Sequence, residues 1–404
     1  MPFFTVFCRV FQFVFNFGAR CLPWRKAIPI EGNGAIGQIL RLLNENGGKK
    51  PMLVTSPGRV KAGTTSKITD ALEKAGVSYA IYSEVEANPS VKTVEKIFEL
   101  YCREGCDSFI ALGGGSPIDA AKAAAARTVR KRKSVNQLGG LLKVLRRLPL
   151  FIAVPTTAGT GSETTIAAII TDTETSHKYA IMDLCLIPKF AVLDPELCVG
   201  LPPEITAATG MDALTHAVEA YLCWTYGTKE SIAFALDAVK TIFEYLPKAY
   251  KDGSDIKARQ AMLMASYKAG FAFTRAGVGN VHAIAHTLGG LYNTPHGLAN
   301  AVILPVVLED YGKKVWKKLS RLADIAGVTP SSAATVEEKA KAFIKAIYDL
   351  NAQMKLPNSF DFIKSEDIPR ITKWAFKESN PLYPVPVVYS RARYRKIVEA
   401  LISL

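Results

Sequence analysis

Short apolar runs alternate with amphipathic stretches over roughly the first half of the chain. Helical periodicity between the runs, as over residues 91–101, predicts helices. Strands that alternate with helices indicate a mostly parallel sheet covered on both faces, which is the architecture of nucleotide-binding domains. Five apolar runs predict buried strands: Met52-Leu-Val-Thr55, Tyr79-Ala-Ile-Tyr82, Ser108-Phe-Ile-Ala-Leu112, Phe151-Ile-Ala-Val154 and Phe190-Ala-Val-Leu193.

The pattern changes after Pro202-Pro203, where clear strand signals stop. Helical periodicity then dominates, through residues 230–250, 256–273 and 336–350. A chain of 404 residues is long enough for two or more domains. We therefore predict an α/β, Rossmann-like nucleotide-binding domain over residues 28–199 and an all-α domain over residues 200–404.

Residues 1–27 form a separate apolar extension in this prediction. Phenylalanine and valine dominate its first 18 residues, and Arg9 is the only charge there. The stretch fits neither a membrane span of about 20 residues nor a signal peptide with a basic start. It can cover a hydrophobic surface, pack on a second subunit or lie on a membrane face. We expect packing rather than membrane contact.

Four of the five histidines fall in two short segments of the helical half. Asp212 and His216 lie four residues apart, as do His282 and His286, so each pair leaves one face of a helix. A Gly-Gly and Pro-containing bend then precedes His296. A single helical histidine is more often a hydrogen-bonded core residue, but this concentration favours a metal site. One carboxylate with several imidazoles suits zinc or iron(II).

A glycine-rich turn, Gly113-Gly-Gly-Ser-Pro-Ile-Asp119, directly follows the third predicted strand. We expect Ser116 to cap the next helix and Asp119 to occupy its third position. Backbone N–H groups at that helix start would face a pyrophosphate. The turn lacks the G-x-G-x-x-G spacing, and glycines can also serve turn geometry alone.

A second polar loop, Pro155-Thr-Thr-Ala-Gly-Thr-Gly-Ser-Glu-Thr-Thr165, follows the fourth predicted strand. Its small residues permit close backbone approach to a ligand, and its hydroxyls can bond phosphate and ribose. The alternative is a loop that only caps the element after it.

Two segments carry a resemblance to a known family. Met211-Asp-Ala-Leu-Thr-His-Ala-Val-Glu219 and His282-Ala-Ile-Ala-His-Thr-Leu-Gly-Gly-Leu-Tyr-Asn-Thr-Pro-His-Gly297 resemble the two signatures of the iron-containing (group III) alcohol dehydrogenases. The resemblance extends from about residue 28 to the end of the sequence. It implies a dehydroquinate synthase-like architecture, a homodimer, and hydride transfer between NAD(P)(H) and a small alcohol, aldehyde or ketone. Because the metal cluster falls in the helical half and the hydride donor in the other, we expect the chemistry to occur in the cleft between them.

The resemblance also assigns residues. Asp212, His216, His282 and His296 match the ligands of Fe(II), with Zn(II) as the alternative metal. His286 matches a histidine beside the substrate and is the expected general base. The residues that match the cofactor site are Gly113, Gly114, Gly115, Ser116, Asp119, Thr156, Thr157, Thr160 and Lys178.

The choice between NAD and NADP depends on the end of the first core strand. Many relatives carry an aspartate there, which accepts from the ribose hydroxyls and repels a 2′-phosphate. This chain has Ser56 at that position, with Arg59 close by. We therefore expect NADP(H) to be accepted.

The net charge of +14 raises the possibility of nucleic-acid binding. The basic runs at 127–133 and 143–147 contain no interleaved aromatic residues, so they indicate a solvated surface and no nucleic-acid partner. Seven scattered cysteines predict free thiols in a reducing cytoplasm, which would also keep iron ferrous.

Other functions are compatible with the same features. Glycerol dehydrogenases share the architecture, as does a dehydroquinate synthase-like lyase that uses NAD only transiently. A surface-binding protein with a structural metal belongs to a different class. Nicotinamide turnover distinguishes the dehydrogenase from this last alternative.

Overall fold

The computed structural model describes residues 2–173 and 177–402, which divide into two compact units. The α/β unit spans Pro23–Val199, and the helical unit joins Met1–Leu22 to Gly200–Leu404. Helix α1 (Pro2–Arg20) thus belongs to the helical unit. Among the described residues, no helix combines the length and the hydropathy needed to cross a membrane.

The α/β unit has a central parallel sheet in the order β1-β9-β6-β4-β2-β3, and β7 and β8 form an antiparallel pair beside β5. Its strands are β1 (Ile28–Glu31), β2 (Pro51–Val54), β3 (Ala80–Tyr82), β4 (Ser108–Gly113), β5 (Gly140–Leu141), β6 (Leu150–Pro155), β7 (Ala167–Asp172), β8 (His177–Met182) and β9 (Phe190–Leu193). Its helices are α2 (Ile39–Glu45), α3 (Pro57–Lys61), α4 (Ser66–Lys74), α5 (Val91–Glu104), α6 (Gly115–Val129) and α7 (Val135–Leu138).

The central strands are buried on both faces. Every residue of β2 and β4 is buried, and alternate side chains enter two different apolar cores. Met52 and Phe109 enter one core, whereas Leu53 and Ile110 enter the other. This burial explains why these strands read as continuous apolar runs in the sequence.

The strand order reverses at β2, since β3 lies on one side of it and β4 on the other. In open parallel sheets, ligands bind outside the carboxyl ends of the strands at such a reversal. Ser56 follows β2 and the glycine-rich turn follows β4. The topology therefore brings the predicted cofactor residues to the edge where this fold class binds nucleotides.

The helical unit is built around a buried helix, α8, on which α9, α10 and α12 pack. Of the residues from Gly210 to Leu222, all are buried, as expected for a helix enclosed by others. The helices are α8 (Pro203–Leu222), α9 (Lys229–Lys251), α10 (Ile256–Ala276), α11 (Asn280–Tyr292), α12 (His296–Tyr311), α13 (Trp316–Ala326), α14 (Val336–Gln353), α15 (Ile368–Ser379) and α16 (Arg391–Ala400).

The predicted fold class, α/β followed by all-α, is confirmed. All five predicted strands are present, with ends that differ by at most one residue. Four strands were missed: β1 carries a proline on an outer strand, β5 has only two residues, and β7, which pairs with β8, alternates buried and more exposed residues. All seven cysteines are free, as predicted.

Helix α1 is oriented with its polar residues inward. Cys8, Gln12 and Asn16 are buried, whereas Phe13 and Phe17 are more than 60% exposed. Phe13 and Phe17 thus point away from the helical unit, whereas Phe4 at the edge of this face stacks on Phe376 and Phe15 packs beside Tyr226.

Candidate active site

Three acidic or imidazole side chains leave one face of α8. Asp212, His216 and Glu219 follow the spacing i, i+4, i+7, so they lie above one another along the helix. All three are buried, and His216 stacks between the rings of Phe273 and His282. These contacts fix the imidazole plane before any ligand binds.

The carboxylate of Glu219 holds the start of α11. It accepts hydrogen bonds from the backbone N–H of Gly279 at 2.7 Å and of Val281 at 2.8 Å. It also bonds Nδ1 of His282 at 2.7 Å. A side chain at Gly279 would place its Cβ 2.6 Å from Glu219 Oε1, so only glycine fits there. The carboxylate thus sets the ring orientation of His282 and turns Nε2 away from itself.

The chain returns to the cluster through a turn at Asn293. Helix α11 continues through Gly289 and Gly290, so the expected Gly-Gly bend is wrong. Asn293 adopts a left-handed conformation with φ of 53° and ends the helix, and α12 begins at His296. Asparagine tolerates the left-handed conformation because its short polar side chain can hydrogen-bond to the nearby backbone. Gly289 and Gly290 keep the helical conformation.

The four predicted metal ligands come together in the helical unit. One potential donor atom from each of Asp212, His216, His282 and His296 lies within 4.8 Å of the others. From Oδ1 of Asp212, the Nε2 atoms lie 4.0 Å away in His216, 3.8 Å in His282 and 3.5 Å in His296.

The amide of Asn300 lies at the same point. Its Nδ2 donates to Asp212 Oδ1 at 2.7 Å and lies 3.2 Å from Nε2 of both His282 and His296. One carboxylate oxygen and two ring nitrogens therefore converge on a single position, although they come from three different helices.

These residues fit a divalent metal ion. Four donors in a tetrahedron around zinc at about 2.1 Å are separated by about 3.4 Å, close to the distances from Asp212. Burial lowers the pKa of His282 well below its ordinary value, and the neighbouring histidines lower it further. The ring is therefore neutral, which is the form that binds metals. One carboxylate with three imidazoles suits iron(II) or zinc.

The cluster is open on one side. The side chain of His296 is 40% exposed, whereas Asp212 and His282 are buried. The ring of His286 stacks on that of His296, with centroids 5.2 Å apart. A catalytic metal site keeps an open position for a substrate, and this side provides one.

His286 has its own carboxylate partner. Its Nδ1 lies 2.5 Å from Oε1 of Glu378, and the same oxygen accepts from the hydroxyl of Tyr383 at 2.8 Å. Burial opposes protonation of His286, but the carboxylates of Glu378, Glu219 and Asp212 together outweigh it and raise the pKa of the ring. Since Nδ1 faces Glu378, Nε2 is the ring atom that can exchange a proton with a substrate.

In the α/β unit, the glycine-rich turn starts its helix earlier than predicted. Gly114 is the N-cap of α6, so Ser116 is the second helical residue and Asp119 the fifth; both expected positions are wrong. Gly113 has φ of 151°, and a Cβ on it would lie 2.6 Å from the ring of Pro117. The glycines therefore let the chain enter the helix two residues sooner than a serine cap would.

The two polar loops lie against each other. The backbone N–H of Thr156 donates to the carbonyl of Gly113 at 2.9 Å. Positions 114 and 115 approach the side chains of Thr157 and Thr160 so closely that a Cβ on either glycine would stand 3.1 to 3.2 Å from them. Six of the predicted cofactor residues thus share one edge of the sheet.

Asp119 and Lys122 hold the second loop in place. Asp119 accepts from the hydroxyl of Ser162 at 2.5 Å and from the N–H of Ile169 at 3.0 Å. The ammonium of Lys122 is fully buried and donates to the carbonyls of Ser162, Thr165 and Ala167. Burial lowers the pKa of Lys122 to about 8. Asp119 therefore positions the loop through contacts inside the protein.

The remaining predicted cofactor residues lie nearby. Lys178 Nζ donates to Oδ1 of Asn88 at 3.0 Å, and the N–H of Asn88 donates to Ser116 Oγ at 3.4 Å. Ser56 is the N-cap residue of α3, directly beyond β2. Lys178 and Ser116 are thus joined through Asn88.

Sequence reasoning missed Glu219, Glu378 and Lys122 as parts of these sites. Glu219 could have been predicted from the sequence, because it continues the i, i+4, i+7 spacing that places Asp212 and His216 on one helix face. Glu378 lies 92 residues from His286, and no local pattern links them. Lys122 is three residues from Asp119, but only its burial reveals its role.

Comparison with known proteins agrees with this geometry. Residues 29–195 match the family model for iron-containing alcohol dehydrogenase, and residues 206–402 match that for the C-terminal part of the Fe-containing alcohol dehydrogenase family. The chain is 36% identical over 356 residues to the NAD-dependent methanol dehydrogenase of Bacillus methanolicus, covering 87% of this chain and 93% of that protein.

Two further relatives are similar over most of their length. A 1,3-propanediol dehydrogenase of Klebsiella pneumoniae is 38% identical over 349 residues, covering 85% of this chain and 89% of that protein. The crystal structure of a 1,3-propanediol oxidoreductase superposes with a TM-score of 0.91 at 34% identity, covering 95% of this chain and all of that one. These matches confirm the predicted metal-dependent oxidoreductase, and the chain belongs to the iron-containing alcohol dehydrogenase family.

Proposed function

We propose that this enzyme transfers hydride between NAD(P)(H) and a short-chain alcohol or its aldehyde, with Fe(II) or Zn(II) held by Asp212, His216, His282 and His296. The observation that carries the proposal is the convergence of these four donors beside the carboxylate of Glu219. Relatives named for methanol and 1,3-propanediol support a short-chain substrate. In this proposal, residues 200–404 bind the metal and residues 28–199 bind the cofactor. A homodimer and a cytoplasmic location stay predictions.

The bound metal would supply a Lewis acid that lowers the pKa of the alcohol hydroxyl. The protein's part is to bring one carboxyl group and three imidazole rings to one point, and to leave the His296 side open to the substrate. His286 would take the hydroxyl proton at Nε2 while Glu378 holds Nδ1. Hydride transfer itself needs no protein nucleophile.

The nicotinamide cofactor would accept or donate the hydride. Its pyrophosphate would lie at the start of α6, where Gly114 and Gly115 leave room for a close approach and the backbone N–H groups favour an anion. Thr157 and Thr160 adjoin these glycines and would bond the phosphates. Lys178, next to Asn88 and Ser116, would reach the ribose.

Metal depletion and refilling test the proposal. Protein purified without air, chelated, and refilled separately with Fe(II) and Zn(II) is assayed by nicotinamide absorbance with short alcohols, diols and aldehydes. Chelation should abolish turnover, and one of the two metals should restore it. Metal that binds tightly without turnover on any substrate would favour a lyase or a structural site instead.

Glu219→Gln should weaken metal binding while leaving the four ligands in place. The amide keeps the shape but loses the charge and one acceptor oxygen, so the orientation and basicity of His282 suffer. We expect about 10- to 100-fold lower metal affinity, measured by competition with a chromophoric chelator.

Glu337→Gln is the matched control, since Glu337 is in the first turn of α14 and pairs with Lys341 at the surface. Unchanged affinity in Glu219→Gln, with the control also unchanged, would show that the carboxylate has no part in metal binding.

His286→Ala should lower kcat by about 100-fold, the lower end of general acid–base effects. Its metal content should stay near that of the wild type, because the ligand set is intact. Partial recovery of kcat in millimolar imidazole would identify the loss as that of a proton carrier. A kcat equal to that of the wild type would rule out the proposed role of His286.

Ser56→Asp should shift the cofactor preference toward NAD(H). With no acid beyond β2, and Arg59 within the next helix, the wild type should use NADP(H) with a kcat/KM at least comparable to that for NAD(H). Aspartate would repel the 2′-phosphate and lower kcat/KM for NADP(H) by about tenfold or more. A strong NAD preference in the wild type contradicts this account.

A further inference from the structure

Helix α1 combines a polar inner face with an apolar outer face. On the inner face, Gln12 Nε2 donates to the carbonyls of Pro381 and Tyr383 at 2.9 and 2.7 Å. Its Oε1 accepts from the indole of Trp224 at 2.6 Å, and Asn16 Nδ2 donates to the carbonyl of Thr225. These bonds are made within the helical unit, so they hold α1 in one rotation about its axis.

Arg9 strengthens this attachment. Its guanidinium donates to the carbonyls of Val385 and Pro386 and lies 4.8 Å from the centre of the Trp224 ring. Turning the apolar face inward would leave these buried donors and acceptors without partners, at a cost of about 1–3 kcal/mol for each. The outward orientation of the apolar face is therefore a fixed property of the fold.

The outer face consists of phenylalanine and valine. Val10, Phe13 and Phe17 are 57%, 63% and 69% exposed, and each lies three or four residues from the next. The remaining exposed members of this face are Phe3, Phe4, Val6, Phe7, Phe11 and Val14. A contiguous apolar surface of this kind marks an interaction site.

Cations border this surface. Phe4 stacks on Phe376 of α15 with centroids 5.4 Å apart, which places α15 beside α1. Along α15, Arg370, Lys373, Trp374 and Lys377 follow the spacing i, i+3, i+4, i+7 and are exposed, so they form one stripe. The guanidinium of Arg370 lies 4.5 Å from the centre of the Trp374 ring.

Two arginines outside the α15 stripe add further positive charge. Arg391 lies 5.4 Å from the ring of Phe376, and Arg20 is in the last turn of α1. The sequence contains no aspartate or glutamate before Glu31. In the described part of the chain, no carboxylate pairs with the three cations of the α15 stripe, so their charge is available to a partner.

We propose that the outer face of α1 and the cationic stripe of α15 dock the enzyme on an anionic phospholipid surface, with α1 in the plane of the interface. Phenylalanine side chains enter the boundary between headgroups and acyl chains, tryptophan lies at headgroup level, and arginine and lysine attract the phosphates. Charge complementarity selects this partner over a second copy of the chain. In a two-fold dimer built on this face the same patch would face itself, bringing one cationic stripe toward the other.

Vesicle sedimentation tests the proposal with the purified full-length, metal-loaded protein. Phosphatidylcholine vesicles with phosphatidylserine should sediment the protein, vesicles of phosphatidylcholine alone should do so weakly, and added salt should release it. The Val10→Ser, Phe13→Ser, Phe17→Ser triple variant should lose binding. Its turnover with alcohols in solution should stay unchanged, because these side chains are exposed. Val336→Ser, at an exposed position on α14, is the matched control and should bind as the wild type does.

A second variant tests the proposal independently if the triple variant folds poorly. Lys373→Gln with Lys377→Gln should bind anionic vesicles about 25-fold more weakly, at about fivefold for each cation removed. Wild-type protein that stays in the supernatant at every lipid composition would overturn the proposal. So would a triple variant that is monomeric where the wild type is dimeric, since that result assigns the face to a second copy.

Discussion

A single buried carboxylate organises the metal-binding half of this enzyme. Glu219 accepts from two backbone N–H groups and bonds one imidazole, and these partners are Gly279, Val281 and His282 at the N-terminus of α11. Burial raises the pKa of this carboxyl to about 7, while the backbone donors oppose that rise. A carboxylate in such surroundings is tolerated only when several donors surround it. The position of α11 relative to α8 follows from that requirement.

The consequences extend to the whole ligand set. Because Glu219 shares a helix face with Asp212 and His216, fixing α11 against it also brings His282 to the other two ligands. Helix α12 then adds the fourth ligand, His296, after the turn at Asn293. Gly297 makes this possible, since a Cβ there would stand 2.1 Å from the carbonyl oxygen of Ala208 in α8. In the α/β unit, a buried group of opposite charge has a comparable role. The ammonium of Lys122 donates to three carbonyls of the second polar loop and the residues after it.

The sequence predicted the features that depend on local periodicity. Buried strands such as β4, the long helices and the spacing of Asp212 and His216 all follow from patterns a few residues long. Features that depend on distant contacts were not accessible. Ser116 looked like a helix cap because serine usually is one, but the adjoining glycines start the helix earlier. Asp119 accepts hydrogen bonds from Ser162 and Ile169, which only the tertiary structure brings close to it. The N-terminal extension was predicted only as an apolar stretch, because the inward polar face of α1 follows from acceptors more than 200 residues away.

Anomalous diffraction at the iron edge, from crystals of the Fe(II)-loaded protein grown without air, would test the central claim most directly. The account predicts one strong peak within bonding distance, about 2.0 to 2.3 Å, of Asp212 Oδ1 and the ring nitrogens of His216, His282 and His296. It also predicts that His282 binds through Nε2 while Nδ1 stays bonded to Glu219. A peak elsewhere, or one that omits two or more of these residues, would contradict it.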